Sequence, residues 1–141
     1  MQNALTNLHC LALRASGWRL AGRIHGLEVL LLTTRGRRSG KQRTVPLMYL
    51  EDDGGYVVIG SNGGAPGDPG WVRNLAADPA ATIRLRHGRR AVRGAPVGDA
   101  ERAHLWQRIT ATAPNYDVYA GRTAREIPLI RLRPLTEGAA D

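Results

Sequence analysis

Apolar and polar positions alternate along most of this chain with the period-2 rhythm of half-buried strands, and a few stretches switch to helical spacing. Glu28–Thr34 reads as a first strand and Arg43–Glu51 as a second, in which Val45, Leu47 and Tyr49 alternate with Pro46, Met48 and Leu50. Proline cannot donate to a ladder, so Pro46 marks a sheet edge, a bulge or a ligand-facing interruption. Asp52-Asp53-Gly54-Gly55 is a hairpin turn signal, followed by a short apolar strand over Tyr56–Ser61. Thr82, Arg84 and Arg86 share one face of a fourth strand, with Ile83 and Leu85 on the other. His87-Gly88 turns the chain into a fifth strand over Arg89–Val97, and Ile127–Arg133 is the last.

Helical spacing appears in three places. Leu5, Leu8, Leu11, Ala12 and Ala15 predict an amphipathic helix over 3–16, ended by Gly17. Such a basic helix packs on its own domain or lies on a membrane surface. Trp71–Ala77 predicts two turns, closed by Asp78-Pro79, with Trp71, Leu75 and Val72 as the inward candidates. Asp99 is a good N-cap for a helix from Ala100 to Thr112, with Ala103, Trp106, Ile109 and Thr110 inward and Pro114 after its end. About six strands joined mostly by hairpins, without a βαβ rhythm, predict a mainly β fold with peripheral helices (α+β), a small antiparallel barrel. The expected division is a helix at 1–17, one domain at 18–134 and a frayed tail at 135–141.

Composition narrows the class. The 141 residues fit one domain, and 43% hydrophobic content is ordinary for a globular protein. A net charge of +8, with Lys41 the sole lysine, predicts attraction to nucleic acid, anionic lipid or a polyanionic ligand. Cys10 is the sole cysteine, which excludes an internal disulfide and, without a signal peptide, points to the cytoplasm. Association with the inner membrane face is the expectation if residues 1–17 touch lipid. No apolar run approaches the ~18 residues that span a bilayer. His9, His25, His87 and His104 lack ligand spacing, so no metal is expected.

Two loops carry the candidate chemistry. Thr33–Met48 holds Arg35, Arg37, Arg38, Lys41 and Arg43 with Gly36, Ser39 and Gly40 among them. That inventory of backbone amides, hydroxyl and guanidiniums suits a phosphate diester or a chain of carboxylates. Gly60–Gly70, reading GSNGGAPGDPG, is too rich in glycine and proline for regular structure. Neither loop fits a nucleotide fingerprint. Ser16, Ser39 and Ser61 lack a nucleophile-elbow context, and Glu51, Asp52 and Asp53 lie in a turn. An enzyme built from these side chains relies on a cofactor for the hard step.

LLTTRGRRSGKQRTVPLMYL, then YVVIGSNGGAPGDPGWVRNLAADP, then PNYDVYAGRTAREIPLIRLRP resemble, in order and spacing, the deazaflavin-dependent nitroreductase family. The likeness runs from about Gly26 to Pro134 and implies a split antiparallel β-barrel, similar to FMN-binding split barrels, that uses coenzyme F420. It implies that Arg37, Arg38 and Ser39 hold the coenzyme's phosphate and acidic tail, with Arg43 a further anionic contact. Thr44, Val45, Pro46, Leu47 and Met48 would run along the cofactor. Ile59, Gly60, Ser61 and Asn62 would lie beside the ring, and Gly70, Trp71, Val72, Arg73 and Asn74 would complete the pocket at a helix start. Ser61 is the expected donor to a substrate oxygen, and Tyr116 and Tyr119 the expected wall of the acceptor pocket.

The chain departs from the family at Asn62, where related sequences often carry lysine, and at Ala113, where an aromatic is common. The second departure implies a wider or different acceptor pocket. The expected activity is hydride transfer from reduced F420 to a quinone, enone or nitro compound, with a homo-oligomer left open. The alternatives are an FMN-dependent reductase and a basic nucleic-acid module on Arg84, Arg86, His87, Arg89, Arg90 and Arg93. That hairpin lacks the interleaved aromatics on which single strands stack.

Overall fold

Six antiparallel strands close on themselves in the computed structural model, which describes residues 23–24, 27–86 and 88–135. The elements run β1 (Arg23–Ile24), β2 (Leu27–Arg35), β3 (Gln42–Asp52), β4 (Gly55–Ile59), α1 (Gly70–Ala77), β5 (Ala80–Leu85), β6 (Gly88–Pro96), α2 (Asp99–Thr112), α3 (Asn115–Gly121) and β7 (Leu129–Pro134). Neighbours around the sheet are β1-β2-β3-β4-β7-β6-β5, and β5 pairs back onto β2, with Leu32 opposite Ile83. That last pairing removes the free edges an open sheet would expose. The split antiparallel barrel of the sequence expectation is therefore the fold, with a short β1 added on the start of β2. The predicted helix over 3–16, the rest of the 1–17 segment and residues 136–141 lie outside the described residues.

Alternation sorts the strands into two cores. Leu30, Leu32, Tyr49, Tyr56, Val58, Ile83, Leu85, Val92, Ile130 and Leu132 fill the barrel interior, where Trp71 and Leu75 of α1 join them. Tyr49 and Tyr56 meet there edge to face at 5.5 Å. Leu27, Val57, Ile59 and Leu129 point outward and are covered by Leu105, Ile109, Ala113 and Tyr116 of the helical layer. All five residues of β4 are buried, because one face meets each core.

Several expectations shift. The inner face of α2 is Leu105 and Ile109, continuing to Ala113, whereas Ala103 is exposed and Trp106 and Thr110 are half-buried. A four-residue stride from Leu105 follows the helix stripe better than one from Ala103. The N-cap is Gly98, and Asp99 is the first helical residue, where its charge still favours the helix dipole. Strand ends move by one or two residues: the third strand stops at Ile59, the fifth runs Gly88–Pro96 and the last begins at Leu129. Leu135, placed in the frayed tail, donates its amide to Ala91 O at 2.9 Å.

One ion network ties sheet to helix. Arg131, 7% exposed on β7, donates to Asp52 at the end of β3 at 3.0 Å and to Glu101 of α2, and Arg108 also reaches Asp52. The Arg131 hydrogen bond, aided by Arg108, holds the Asp52 carboxyl below its ordinary range.

Candidate active site

β3 pairs with β2 from Gln42 to Tyr49, but with β4 only over Tyr49–Asp52. The first half of β3 is thus flanked by a single strand, and this is where the barrel is split. Pro46, opposite Leu31, lies in that half, where a residue without an N–H is tolerated.

Along the split a cavity of about 380 Å³ is walled by Val45, Pro46, Leu47 and Met48 of β3 and by Val29 of β2. Ile59 and Ser61 close one end, Asn62, Gly63 and Pro69 of the glycine-rich loop another, and Trp71, Tyr116 and Tyr119 the rest. A second cavity, about 520 Å³, is lined by Arg37, Arg38, Ser39 and Arg43 of the β2–β3 turn with Thr34 and Gly36. Asp68, Gly70 and Asn74 face it. Both cavities share Val45, Asn62, Pro69 and Trp71, so they join into one bipartite site. One lobe is mostly apolar and the other cationic.

The cationic turn is shaped by its sequence. Gly36 N donates to Lys41 O and Gly40 N to Gly36 O, each at 2.8 Å, and Gly40 takes a left-handed φ of 73°. Lys41 N donates to Ser39 Oγ at 3.1 Å. Asn74, 5% exposed, anchors the turn to α1. Its Oδ1 accepts from the Arg37 amide at 3.2 Å and from the Arg37 guanidinium at 3.0 Å, while its Nδ2 donates to Thr34 Oγ1. Arg38 and Arg43 line the same cavity with no carboxylate partner among the described residues.

Tyr116 and Tyr119 meet edge to face at 5.7 Å on one side of α3. Burial, then the neighbouring Tyr119, pushes the Tyr116 hydroxyl well above the ordinary tyrosine range, so it stays a neutral phenol. Arg122 lies over the Tyr119 ring at 5.6 Å.

Four expected contacts are not brought to the cavities. Thr44 points to the opposite face of β3, bonded to Thr33 Oγ1 at 2.8 Å, in a separate polar recess with Thr82, Arg84 and Arg89. Gly60 packs under Pro128 and Val72, Val72 rests on the barrel core, and Arg73 is exposed outside both linings. Ala113 is fully buried in the helical layer and lines neither cavity. Val29 and Pro69 line the site without having been singled out. Arg125 and Asp68 were also missed, and their pairing at 2.8 Å spans 57 residues, a separation at which spacing carries no signal. Among the described residues no group of three His, Cys, Asp or Glu could hold a metal, and no helix is long and apolar enough to cross a membrane.

Comparison with known proteins gives one family. A model described as F420H(2)-dependent quinone reductase matches residues 6–134. An F420H(2)-dependent quinone reductase of Mycobacterium tuberculosis is 37% identical over 132 residues, covering 91% of this chain and 89% of the relative. A solved F420-H2 dependent reductase superposes with a TM-score of 0.65 at 33% identity, covering 74% of this chain and 93% of that one. A heme storage protein of Vibrio cholerae, TM-score 0.56 at 15% identity and covering 86% and 87%, shares the fold alone.

Proposed function

The chain belongs to the F420H(2)-dependent quinone reductase family, and we propose that its two joined cavities divide the reaction between coenzyme tail and reacting ring. It is an oxidoreductase that moves a hydride from reduced F420 to a quinone-like acceptor. The observation carrying the assignment is the continuity of a cationic lobe with an apolar one through Val45, Asn62, Pro69 and Trp71. A molecule with a planar ring and a phosphodiester tail needs that pair of environments.

The residues present fit such a group. Arg38, Arg43 and Ser39 offer guanidinium forks and a hydroxyl for phosphate and carboxylate oxygens, and Arg37 adds charge from a fixed position. Val45, Pro46, Leu47 and Met48 give one apolar wall for the ring, with Ile59, Asn62 and Trp71 completing it. When bound, reduced F420 supplies the hydride. The chain's own part is to hold the acceptor against that ring, keep water out and meet the charge that develops on the acceptor oxygen. Ser61, Tyr116 and Tyr119 line the apolar lobe, and their hydroxyls are the donors this reading assigns to that oxygen. Tyr116, kept neutral, donates rather than acting as a base. Val29 and Met48 add apolar surface that excludes water.

The test is a fluorescence titration with oxidised F420 beside FMN, followed by menadione turnover with reduced F420. Micromolar or tighter F420 binding that Arg38→Ala/Arg43→Ala weakens is expected. Absence of F420 binding by the parent protein would reject the assignment. Lipid quinones come within reach if residues 1–17 lie on a bilayer, which liposome co-sedimentation with and without that segment tests.

A further inference from the structure

We propose that Arg125 is a positioning residue for this reaction, which fixes the Gly60–Gly70 loop over the coenzyme and neutralises the Asp68 carboxylate that lines the lobe for its anionic tail. The inference rests on the assignment of the two cavities above. The loop contributes Ser61, Asn62 and Gly63 to the apolar lobe and Asn62, Asp68 and Gly70 to the cationic one. Within it the hydrogen bonds are Gly64 N to Ser61 O at 2.8 Å, Ala65 N to Asn62 O at 3.0 Å and Asn62 Nδ2 to Gly67 O at 3.0 Å. With glycine at 60, 63, 64, 67 and 70, its backbone has many other conformations open to it.

Arg125 closes those alternatives from outside. Its Nε donates to Ala65 O at 3.0 Å, Nη1 to Gly60 O at 3.2 Å and Asp68 Oδ1 at 2.8 Å, and Nη2 to Ser61 O at 2.9 Å. The side chain is 16% exposed, so these charge-assisted bonds are shielded from competing water. Only a planar fork can reach four acceptors spread over nine residues of loop. Arg125 lines neither cavity and therefore acts through the loop.

The second half of the inference is electrostatic. Asp68 is the single carboxylate among the residues lining the cationic lobe. Unpaired, it would repel the phosphate and carboxylates that Arg38 and Arg43 attract. The Arg125 pair neutralises it and fixes its direction.

The experiment compares Arg125→Gln, Asp68→Asn and the double variant by titration with oxidised F420, and by hydrogen exchange of the coenzyme-free proteins. Arg125→Gln is expected to raise the F420 Kd about tenfold or more and to speed exchange in residues 60–70, with the β2 and β7 amides unchanged. In the Arg125→Gln background, Asp68→Asn is expected to recover a severalfold part of the loss. A merely structural role for Arg125 would not produce that recovery. Parental affinity or unchanged loop exchange in Arg125→Gln overturns the proposal, as does a double variant no tighter than Arg125→Gln. If Arg125→Gln does not fold, Arg125→Lys keeps the charge but not the fork, and parental affinity there also overturns it. Failure of the parent to bind F420 rejects the cofactor assignment instead, and the loop-exchange result still stands by itself.

Discussion

Asn74 Oδ1 accepts two hydrogen bonds from Arg37, one from its amide at 3.2 Å and one from its guanidinium at 3.0 Å. With Nδ2 donating to Thr34 Oγ1, one buried carboxamide locks α1, β2 and the cationic turn together. Asn74→Ala leaves the Arg37 amide and the Thr34 hydroxyl without their partner. The expected loss is about 1–3 kcal/mol of stability by urea unfolding. F420 affinity should fall with it, since Arg37 is no longer aimed. Unchanged stability would mean that water replaces the carboxamide at no cost.

Arg38 and Arg43 should behave differently. Arg38 is exposed and Arg43 half-buried, and neither has a carboxylate partner among the described residues, so removing either should leave thermal stability near that of the parent. Charge-assisted hydrogen bonds are worth about 1.5–3 kcal/mol, so each alanine variant is expected to weaken F420 binding by roughly tenfold to a hundredfold. The loss should shrink at high salt, where screening weakens the parent's own attraction. Isothermal titration at two ionic strengths measures both effects.

The two tyrosines separate coenzyme from acceptor. Tyr116→Phe and Tyr119→Phe keep the edge-to-face ring contact and remove only the hydroxyls. Menadione kcat/KM is expected to fall by about three- to thirtyfold in at least one of them while the F420 Kd stays unchanged. Because burial raises the Tyr116 hydroxyl above its ordinary value, no limb of the pH–rate profile below about pH 10 should vanish in Tyr116→Phe. Unchanged turnover and KM in both variants would remove the tyrosines from the acceptor's surroundings.

Much of this arrangement can be read from the chain itself. Period-2 alternation through Val45, Leu47 and Tyr49, with the turn at Asp52–Gly55, is local information, and the strands follow it closely. Barrel closure by β5 on β2 is not local: Leu32 meets Ile83, 51 residues further along the chain, and no periodicity encodes that pairing. At the site, Arg37 and Ser39 advertise themselves because several anion-binding groups lie within one turn. Arg125 does not, since its four acceptors lie about sixty residues earlier. Thr44 was misplaced for a simpler reason. Its hydroxyl is held by Thr33 across the β2–β3 ladder, in the recess with Thr82, Arg84 and Arg89, a contact that adjacency to Arg43 does not announce.

Stability should depend on pH at both ends. The folded Asp52 carboxyl sits below its unfolded value of 3.8, so its pairing with Arg131 and Arg108 stabilises the protein above that range and is lost as pH falls through the lowered value. Tyr49 is pushed up to about 12, chiefly by burial and then by the charges of Glu28 and Glu51. Its contribution is complete below the ordinary value of 10.0 and is lost as pH rises toward about 12. Asp52→Asn is therefore expected to be less stable than the parent at neutral pH and to lose less on acidification. Thermal melts of the pair from acid to neutral pH would show their curves converging at the acid end. Parallel curves would locate acid sensitivity elsewhere.

Gly64 tests the closest approach between the glycine-rich loop and α3. Its φ is +83°, and a Cβ there would lie 2.8 Å from both Arg122 Cβ and Tyr119 O. Neither is the free end of a flexible side chain, so the backbone of α3 or of the loop must move to admit a methyl group. Gly63 also has a left-handed φ, +62°, but a Cβ there would meet nothing within 4 Å. Left-handed backbone alone costs a non-glycine residue of order 1–3 kcal/mol. Gly63→Ala therefore measures the strain, and Gly64→Ala measures strain plus displacement. Gly64→Ala is expected to be the less stable of the two and to raise the menadione KM, because Tyr119 moves with its carbonyl. Equal stability and equal KM in the two variants would show that α3 accommodates the methyl group without shifting its tyrosines.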